Sequence, residues 1–522
     1  MMIRKITLFA LAALTAAAQA GTLPDISPVA PTTLSSDLPK GWNKSASFME
    51  IFVRSYKDSD GDGVGDIKGL TSKLDYLKGL GVTGLWLLPM GPSEDRDHGY
   101  AQADYRAINP EYGTLADFDE LVREAHKRGI GIILDFVINH SASSNPLFQD
   151  AASSENSRFH DWYVFSKTDP KWKVEGHFPW RKNASGDGYY YAIFSDHMPD
   201  WNLRNPKVVE YLEGSMRFWL NRGVDGFRLD AVTMLFEDGP TSTYNNPKNP
   251  KFTAELSGVV NGYDNRFMVC EADKGADMYA QTCGSAFAFG AQQEIRKSVL
   301  AGHASPALIA QLKNPARAHM PLTLQTHDSY VGDRLINQYG VNGTDNYIAA
   351  VAVALLGSDV SFSYYGEEIG ESNNSKGDDP GLRGPMSWTA DSRTAGFTSG
   401  KPYRDVAINV ASNNVEAQLK DPNSLYHVYQ ALYQVRRDYP VVSSGKLELL
   451  SQEGDGVLIF KRTDGEESAF IVINLSDRPI ALKDLPIGAA IASFQDVLHL
   501  PGVELAPGFL PAKRAVVMKA HI

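Results

Sequence analysis

The chain has 522 residues, of which 43% are hydrophobic and 21% are charged, so it can bury a large core. This composition excludes a disordered chain, and the length fits two or three domains unless one of them is a barrel. The formal net charge of -12 argues against nucleic acid as a partner, because phosphate binding requires a basic surface.

The N-terminal residues have the pattern of a secretory signal peptide. Arg4 and Lys5 precede the short apolar run ITLFALAALTA, and the small-residue pattern AQA ends at Ala20. We therefore predict a cleaved signal peptide over residues 1–20 and an exported protein, either periplasmic or secreted. No later segment has the unbroken apolar length of a transmembrane helix, so we expect no membrane anchor. A Pro/Ser/Thr-rich N-terminal arm over residues 21–45 follows the predicted cleavage point.

The acidic segment DSDGDGVGD resembles the first part of a calcium-binding loop. Its candidate ligands are the side chains of Asp58, Asp60, Asp62 and Asp66 and the main-chain carbonyl of Val64. The loop is not a full EF-hand, because Gly69 stands where a bidentate glutamate is expected. A solvated acidic turn is the alternative, but oxygen donors this close repel one another unless a cation lies between them. We predict structural Ca²⁺, with Mg²⁺ as the second choice.

Eight apolar runs alternate with helix-like segments between Phe48 and Glu368, which is the pattern of a parallel α/β fold. The runs are FMEIFVRSY, GLWLLPM, GIGIILDFVINH, GVDGFRLDAV, RFMVCEAD, SAFAFG, PLTLQTHDS and VSFSYYGEE. Eight such units predict a (β/α)8 TIM barrel, in which functional residues lie at the carboxyl ends of the strands.

Two stretches interrupt this alternation and set the predicted domain boundaries. Residues 140–198 are aromatic and rich in Ser and Gly, and they are too many for an ordinary loop after the third strand. We predict a small inserted domain there, with the barrel occupying residues 46–139 and 199–439. From residue 440 to 522, short alternating runs such as GVLIFKRT predict a C-terminal antiparallel β-sandwich domain.

The chain contains two cysteines, Cys270 and Cys283. In an oxidising compartment they can pair, and their spacing permits closure without requiring it. Two separate buried thiols are the alternative, and we favour the disulfide slightly.

Polar residues follow several of the predicted strands at the point where each strand ends. They are Asp135 and His140 after the third strand, Arg228 and Asp230 at the fourth, Glu271 at the fifth, and His327 and Asp328 at the seventh. In a barrel these side chains converge on one mouth. Residues two apart on a strand point the same way, so we expect Arg228 to lie beside Asp230 and keep it ionised.

Three carboxylates at one mouth, without a Cys/His metal cluster, favour acid/base and nucleophilic chemistry. Retaining glycoside hydrolysis needs one ionised carboxylate as nucleophile and one protonated carboxyl as acid, about 5 Å apart. Asp230 suits the first role because of its arginine. Glu271 suits the second, because the apolar segment FMVCEA is expected to raise its pKa by desolvation.

The motifs DFVINH, GFRLDAV, VCEA and QTHD, with MPDWN at the end of the insertion, resemble the α-amylase superfamily of retaining α-glucan enzymes, glycoside hydrolase family 13. The similarity runs from about Ser47 to Tyr439 and includes HGYAQADYRAINPEYGTLADF and YYGEEIG. The branch it most resembles contains oligo-1,6-glucosidase and neopullulanase-like enzymes, some of which carry acidic loops like that of residues 58–66.

The resemblance implies a role for each matching residue. Asp230 would be the nucleophile, Glu271 the acid/base, and Asp328 the carboxylate that binds sugar hydroxyls and stabilises the transition state. The residues matching positions that line the sugar subsite at the scissile bond are Tyr100, His140, Arg228 and His327, with Asp135 as a structural acid near them. The resemblance also implies the barrel, the inserted domain and the C-terminal β domain.

Four positions depart from patterns common in that family. Ala101 stands where exo-acting α-glucosidases carry the Asp that holds the non-reducing end of the sugar, which argues against a strict exo-glucosidase. Thr233 and Met234 replace a Lys-His pair found in many α-amylases, and Thr326 stands where Asn precedes the His-Asp pair. MPDWN is closer to the MPDLN of mixed-specificity members than to the QPDLN of oligo-1,6-glucosidases.

We therefore expect an exported retaining enzyme of the α-amylase type that cleaves α-1,4-glucosidic bonds in starch-derived glucans and malto-oligosaccharides through a covalent glycosyl-enzyme intermediate. An α-glucosidase or glucosyltransferase acting on short α-1,4 or α-1,6 oligosaccharides is the alternative. A non-catalytic glucan-binding protein is a weaker one, since the three carboxylates are present. We expect a monomer whose partner is the glucan substrate.

Overall fold

The computed structural model describes residues 22–520 except 34, 94, 96, 245, 341–342, 492–493 and 503–507. The predicted signal peptide therefore lies outside the described residues. The N-terminal arm lies along the barrel: Arg106 Nη1 donates to the carbonyl of Ser27 at 2.8 Å, and Asn221 Nδ2 donates to the carbonyl of Ala30 at 2.9 Å. Within the described part of the chain, no helix is both long and apolar enough to cross a membrane.

The strands are β1 (Ser47–Ile51), β2 (Gly84–Leu87), β3 (Gly131–Phe136), β4 (Phe165–Ser166), β5 (Trp180–Lys182), β6 (Tyr189–Tyr191), β7 (Gly226–Leu229), β8 (Phe267–Cys270), β9 (Ser361–Tyr364), β10 (Lys446–Leu449), β11 (Val457–Asp464), β12 (Glu467–Asn474), β13 (Ile480–Ala481), β14 (Phe494–Asp496), β15 (Phe509–Leu510) and β16 (Ala515–Ala520).

The α-helices are α1 (Trp42–Ser45), α2 (Val53–Tyr56), α3 (Ile67–Thr71), α4 (Leu74–Leu80), α5 (Leu115–Lys127), α6 (Pro146–Ser153), α7 (Pro206–Leu220), α8 (Lys248–Asn261), α9 (Ala276–Cys283), α10 (Ala291–Ala301), α11 (Pro306–Leu312), α12 (Leu335–Tyr339), α13 (Thr344–Leu356), α14 (Asp378–Leu382), α15 (Val415–Lys420), α16 (Leu425–Asp438), α17 (Pro440–Ser444) and α18 (Gly488–Ile491). Short 3-10 helices span His160–Trp162, Val232–Met234, Arg317–His319, Glu367–Ile369 and Leu482–Asp484.

The barrel sheet is parallel, with the strand order β8-β7-β3-β2-β1-β9. Every residue of β1, β2, β3 and β7 is buried, which is why these strands are mostly apolar: a parallel sheet is covered on both faces. The helices between them follow ordinary end signals. For example, α5 begins with a capping box between Thr114 and Asp117, and α7 begins with Asn205 as its cap and Pro206 in its first turn.

Six of the eight predicted strands form, whereas SAFAFG and PLTLQTHDS do not become regular strands. The first of these segments still bonds to both neighbours: the N–H of Phe287 donates to the carbonyl of Cys270 at 3.2 Å, and the N–H of Ala288 donates to that of Pro321 at 3.0 Å. In the second segment, PLTLQTHDS, the N–H of Leu322 donates to the Ser358 hydroxyl instead of to a backbone carbonyl. The ladder is interrupted there because side chains replace backbone partners, so the prediction of eight regular strands was wrong for these two.

The inserted stretch after β3 contains α6 and a small antiparallel sheet in the order β4-β6-β5. The C-terminal part of the chain forms a five-stranded antiparallel sheet, β10-β11-β12-β16-β14, and the pair β13-β15. Alternate residues of β11 pack into two different hydrophobic cores. Leu458 and Phe460 belong to the main core that continues into the barrel, and Ile459 belongs to a second, smaller core. This alternation is the period of two expected for a sheet buried on both faces.

Gly226 begins β7 opposite Phe267 of β8, and its φ is +147°. A Cβ atom at this position would lie 1.6 Å from the carbonyl oxygen of Phe267. Only glycine permits the two strands to approach this closely, so the strand that carries Arg228 depends on this residue.

We predict that Gly226→Ala lowers the free energy of unfolding by about 3 kcal/mol or more, the upper range for overpacking, because backbone atoms must move apart. Gly129→Ala is the matched control: its φ is +74°, and a Cβ there meets nothing within 4 Å, so only about 1 kcal/mol of backbone strain is expected. Urea unfolding of both variants measures the difference, and equal losses would show that the close approach of the strands has no special cost.

Candidate active site

Arg228 is the centre of the polar cluster at the carboxyl ends of the barrel strands. It lies on β7 in register with Asp135 on β3, and its side chain is 2% exposed. Its Nη1 lies 2.9 Å from Asp135 Oδ2 and 2.7 Å from Asp230 Oδ1, and its Nη2 lies 2.7 Å from Glu271 Oε2. One guanidinium therefore contacts three carboxylates, where the sequence predicted a pair with Asp230.

Tyr100 and His327 complete one wall of the site. The Tyr100 hydroxyl donates to Asp135 Oδ2 at 2.8 Å and lies 2.9 Å from His327 Nε2, and the two rings stack with centroids 5.5 Å apart. The other ring nitrogen of His327 lies 2.5 Å from Glu50 Oε1. Burial, followed by the nearby positive charge of Arg383, holds the pKa of His327 well below its ordinary value, so the imidazole is neutral.

Asp328 faces the same space and is held by Arg383. Arg383 Nη2 lies 2.9 Å from Asp328 Oδ1, while Nη1 of the same side chain lies 3.0 Å from Asp97 Oδ2. Arg404 contacts the other oxygen of Asp97 at 2.8 Å, so a chain of ion pairs runs behind Asp328. Burial raises the pKa of Asp328 to about 7 even though Arg383 opposes that rise.

His140 follows β3 and is 2% exposed. Its Nδ1 lies 3.1 Å from Asn139 Oδ1, and its Nε2 has no hydrogen-bond partner among the described residues. Burial lowers the pKa of His140 to about 3, so the ring is neutral. Donation from Nδ1 to the amide oxygen leaves Nε2 as an acceptor toward the cleft, which suits a sugar hydroxyl.

The pKa shifts of the two central acids run in the directions opposite to those expected from the sequence. Burial raises the pKa of Asp230 well above its ordinary value, and Arg228 offsets this only in part. Burial also raises the pKa of Glu271, but Arg228, the Tyr330 hydroxyl and the N–H of Ala231 together outweigh it and hold that pKa below its ordinary value. The apolar sequence around Glu271 did not reveal these donors, so the prediction of a raised pKa for Glu271 was wrong.

The backbone after β7 contributes directly to this arrangement. Ala231 has φ +47°, a left-handed conformation that is uncommon for a residue with a side chain. Its N–H donates to Glu271 Oε2 at 3.0 Å. Local backbone strain of this kind is found at functional sites, where it fixes the direction of a hydrogen-bonding group.

The three acids Asp230, Glu271 and Asp328 line one cleft of about 420 Å³. Phe194 and Tyr330 also line it and are 42% and 55% exposed. A cleft that combines carboxylates with exposed aromatic faces suits a sugar, whose rings have polar edges and apolar faces.

Two of the unusual positions have structural roles. Thr326 Oγ1 accepts a hydrogen bond from the N–H of Asp328 at 3.2 Å, so it supports the backbone of that acid. Thr233 Oγ1 donates to Asp273 Oδ1 at 2.7 Å. Ala101 is fully buried.

The two cysteines are joined, with a Cα separation of 6.1 Å. Cys270 ends β8 immediately before Glu271, and Cys283 ends α9. The bridge therefore connects the strand that carries the acid/base candidate to the helix that follows it.

The predicted metal ligands are brought together only in part. Oxygens of Asp58, Asp60 and Asp66 lie within 4.8 Å of one another, whereas Asp62 Oδ1 accepts a hydrogen bond from the N–H of Val64 at 2.8 Å.

Sequence reasoning missed four residues of the cluster: Glu50, Asp97, Tyr330 and Arg383. Glu50 lies within a buried strand, and Arg383 lies in a long segment after β9 that has no regular pattern. Only a contact with a recognised residue could have identified them, and such contacts are not visible in the sequence.

Comparison with known proteins agrees with this geometry. The family model of the α-amylase catalytic domain matches residues 50–445. The chain belongs to the α-amylase family. It is therefore a glycoside hydrolase with the TIM-barrel fold, as the motifs implied.

Relatives of this α-amylase family enzyme differ in their named activities. This chain is 37% identical to alpha-amylase 3 of Dictyoglomus thermophilum over 83% of its own length and 85% of that relative's length. It is 30% identical to the oligo-1,6-glucosidase of Parageobacillus thermoglucosidasius over 84% and 91% of the two chains. A crystal structure of an alpha-glucosyl transfer enzyme, XgtA, superposes with a TM-score of 0.78 at 27% identity, covering 92% of this chain and 99% of that one.

We predict that Arg228→Met in this α-amylase family enzyme lowers the free energy of unfolding by about 3–5 kcal/mol at pH 7.5, because three buried carboxylates lose their cation. The folded-state pKa values of Asp135 and Asp230 are already raised by burial and must rise further. A raised folded pKa costs stability as pH increases through it, so the deficit should shrink toward pH 4.

Urea unfolding at several pH values measures this deficit. Arg222→Met is the control, because its pair with Asp119 has side chains 29% and 44% exposed and should contribute no more than about 1 kcal/mol. A deficit for Arg228→Met that did not change with pH would contradict the assigned charge interaction.

Proposed function

We propose that the protein is an exported α-amylase-type hydrolase that cleaves α-1,4-glucosidic bonds in starch-derived glucans and malto-oligosaccharides with retention of configuration. The observation that carries this proposal is the contact of one guanidinium, that of Arg228, with both Asp230 and Glu271 at 2.7 Å. Two carboxyl groups bridged in this way face one point of the cleft, and a pair of facing carboxyl groups is what retaining hydrolysis requires.

In the proposed mechanism, Asp230 attacks the anomeric carbon while Glu271 gives a proton to the glycosidic oxygen. The carbon–oxygen bond to the leaving group breaks, and a glycosyl ester forms on Asp230. Glu271, now a carboxylate, takes a proton from a water molecule that attacks the same carbon, and the ester bond breaks. Arg228 stabilises the carboxylate of Asp230 as the leaving group of this second step.

The proton for the first step is already present in the pair. The pKa of Asp230 is raised and that of Glu271 lowered, so a proton shared by the pair favours Asp230. Before attack it must pass from Asp230 to Glu271. A sugar placed between the two acids separates them and removes the hydrogen bond that Asp230 makes with Glu271, which favours that transfer.

Three further residues are proposed to hold the sugar at the reacting position. Asp328 and the acceptor Nε2 of His140 face the cleft and can bind sugar hydroxyls. Tyr100 closes the base of this position, where its hydroxyl is fixed by Asp135 and His327.

An α-glucosidase or glucosyltransferase acting on short oligosaccharides is the second candidate. It is favoured by the ion pairs of Asp97 with Arg383 and Arg404, which add a charged wall behind Asp328. Such a wall can restrict the cleft on the side of the non-reducing sugar. The similarity to an oligo-1,6-glucosidase and to a glucosyl transfer enzyme supports the same alternative.

Export and a monomeric state belong to the same proposal. The charged, apolar and small-residue pattern that ends at Ala20 supports a signal peptide. The bond between Cys270 and Cys283 supports an oxidising compartment, either the periplasm or the medium.

We also propose structural Ca²⁺, or Mg²⁺, at the loop of residues 58–66. The donor set fits a hard cation: three carboxylates converge, and their oxygens are oriented by the backbone. The N–H groups of Gly61 and Gly63 donate to Asp58 at 2.7 and 2.8 Å, and that of Gly69 donates to Asp66 at 2.7 Å. Asp62 and the Val64 carbonyl remain proposed ligands.

A product time course tests the proposed function. We predict that the mature protein releases mixed maltodextrins early from soluble starch and maltoheptaose, with the α anomer formed first. Glucose or transfer products from short substrates alone would instead establish the second candidate.

Glu271→Gln should reduce kcat by about 10²–10⁴-fold, the contribution of a general acid, and unchanged product formation would show that Glu271 is not the acid/base.

Metal removal tests the loop. We predict that a chelator lowers Tm by a few degrees and that added Ca²⁺ restores it, because an ion bound only by the folded state stabilises that state. Asp60→Asn should remove most of this effect, whereas Asp187→Asn, a change at an exposed acid of the inserted stretch, should not. If neither chelator nor Ca²⁺ changed the Tm of the native protein, the proposed metal site would be wrong.

A further inference from the structure

Tyr330 is an exposed aromatic residue in direct contact with a proposed catalytic acid. It lies two positions after Asp328 and is 55% exposed, yet its hydroxyl donates to Glu271 Oε1. Its ring packs edge to face against Phe289, with centroids 5.8 Å apart. An exposed ring whose polar end is fixed at an active-site carboxylate indicates a functional position.

The two oxygens of Glu271 have different kinds of partner. Oε2 is held by the backbone N–H of Ala231 at 3.0 Å and by the buried side chain of Arg228 at 2.7 Å. Oε1 is held by the hydroxyl of Tyr330, which belongs to an exposed side chain. Oε1 is therefore the oxygen whose partner can be removed without disturbing the core.

A carboxyl group that acts as an acid must carry a proton on one of these oxygens. With the Tyr330 hydroxyl donating to Oε1 and two donors at Oε2, Glu271 is held as a carboxylate. Withdrawing the tyrosine hydroxyl frees Oε1 to accept the proton and to present it to the glycosidic oxygen.

We propose that Tyr330 is a positioning residue on the leaving-group side of the cleft, whose hydroxyl holds Glu271 until a sugar occupies that side and displaces it. This inference rests on the proposed function, in which Glu271 is the acid/base. The side follows from chemistry: the acid/base protonates the oxygen of the leaving group, so a residue bonded to it borders the space of the leaving sugar.

The ring of Tyr330 has a second consequence. Its exposed surface, supported by Phe289, offers an apolar face on which a sugar ring can pack. The space that holds the leaving sugar in the first step also receives the acceptor in the second, where either water or another sugar reacts with the glycosyl ester. Tyr330 therefore influences the ratio of transfer to hydrolysis.

A substitution of Tyr330 alone leaves the other charged residues that face Glu271 unchanged. They are Arg228 and Asp230 from β7 and the turn after it, Asp135 from β3, and Asp328 from the segment that carries Tyr330. Removing the Tyr330 hydroxyl leaves all four in place, so a change in the behaviour of Glu271 can be assigned to the hydrogen bond.

The test is the pH dependence of Tyr330→Phe on maltotriose or a nitrophenyl α-glucoside, whichever is hydrolysed. We expect the plateau of kcat/KM, which reports the free enzyme, to rise by up to about tenfold, because loss of the bond to Oε1 raises the share of the proton of the Asp230–Glu271 pair that resides on Glu271. The plateau of kcat should not change, because the bound sugar has already displaced the hydroxyl.

Tyr339→Phe is the matched control, since Tyr339 is half-buried and its ring packs on Tyr347. Its profiles should equal those of the native enzyme. An unchanged kcat/KM profile for Tyr330→Phe would overturn the role of the hydroxyl. An equal rise of kcat and kcat/KM would overturn its displacement by sugar.

The ring is tested with Tyr330→Ala at high maltotriose concentration. We expect the ratio of transfer to hydrolysis products to fall several-fold for Tyr330→Ala and to stay within about twofold for Tyr330→Phe, because only the first loses the apolar face. A native ratio in Tyr330→Ala would contradict the role of the ring.

Failure of the proposed function gives a different result from failure of this inference. If no glycoside is hydrolysed, the proposed function fails, and the hydrogen bond is tested by the pH dependence of unfolding. A lowered folded pKa of Glu271 contributes stability above its unfolded value of about 4.5, and this is lost as pH falls. The native protein should exceed Tyr330→Phe in stability at pH 7, and the difference should vanish near pH 3; a constant difference would overturn the inference.

Discussion

The active site depends on a shortage of positive charge around buried acids. Asp135, Asp230 and Glu271 share Arg228, and Asp328 has Arg383. A guanidinium stays charged at any ordinary pH, but one cation cannot keep three buried carboxylates ionised. The pKa values of these buried acids are therefore raised, to about 6 for Asp135 and about 7 for Asp328, and well above its ordinary value for Asp230. Glu271 is the exception, because two extra hydrogen-bond donors reach it.

The barrel makes this arrangement possible by placing strand ends side by side. Asp135 and Arg228 are register partners on adjacent parallel strands, and Leu229 pairs with Cys270 immediately before Glu271. Parallel strands all end at the same edge, so acids that are far apart in the sequence meet there. Gly226 allows β7 and β8 to approach closely enough for one arginine to reach both neighbours. A packing constraint below the site thus determines the electrostatics within it.

Much of this site could be predicted from the sequence, because its main residues follow apolar strands in short local patterns. Asp230, Glu271 and Asp328 lie where their motifs placed them, around one cleft. The absence of regular strands at SAFAFG and PLTLQTHDS could not be predicted. It depends on whether the Ser358 hydroxyl or a backbone carbonyl accepts the hydrogen bond from the N–H of Leu322. The direction of the pKa shift of Glu271 could not be predicted either. Its apolar neighbours are visible in the sequence, but Tyr330 and Arg228 contact it only in the folded chain.

The two sides of the cleft differ in a way that suits a retaining reaction. Behind Asp328, the buried Arg383 contacts Asp97, and Arg404 contacts the other oxygen of Asp97, so this wall is made of ion pairs. Phe194 and Tyr330, which line the same cleft, are exposed aromatic side chains. In the proposed reaction, the sugar that becomes bonded to Asp230 must be held in one orientation through both steps, which the ion pairs favour. The leaving sugar must depart and be replaced by water or an acceptor, and a surface of exposed rings, bound without fixed charges, permits that exchange.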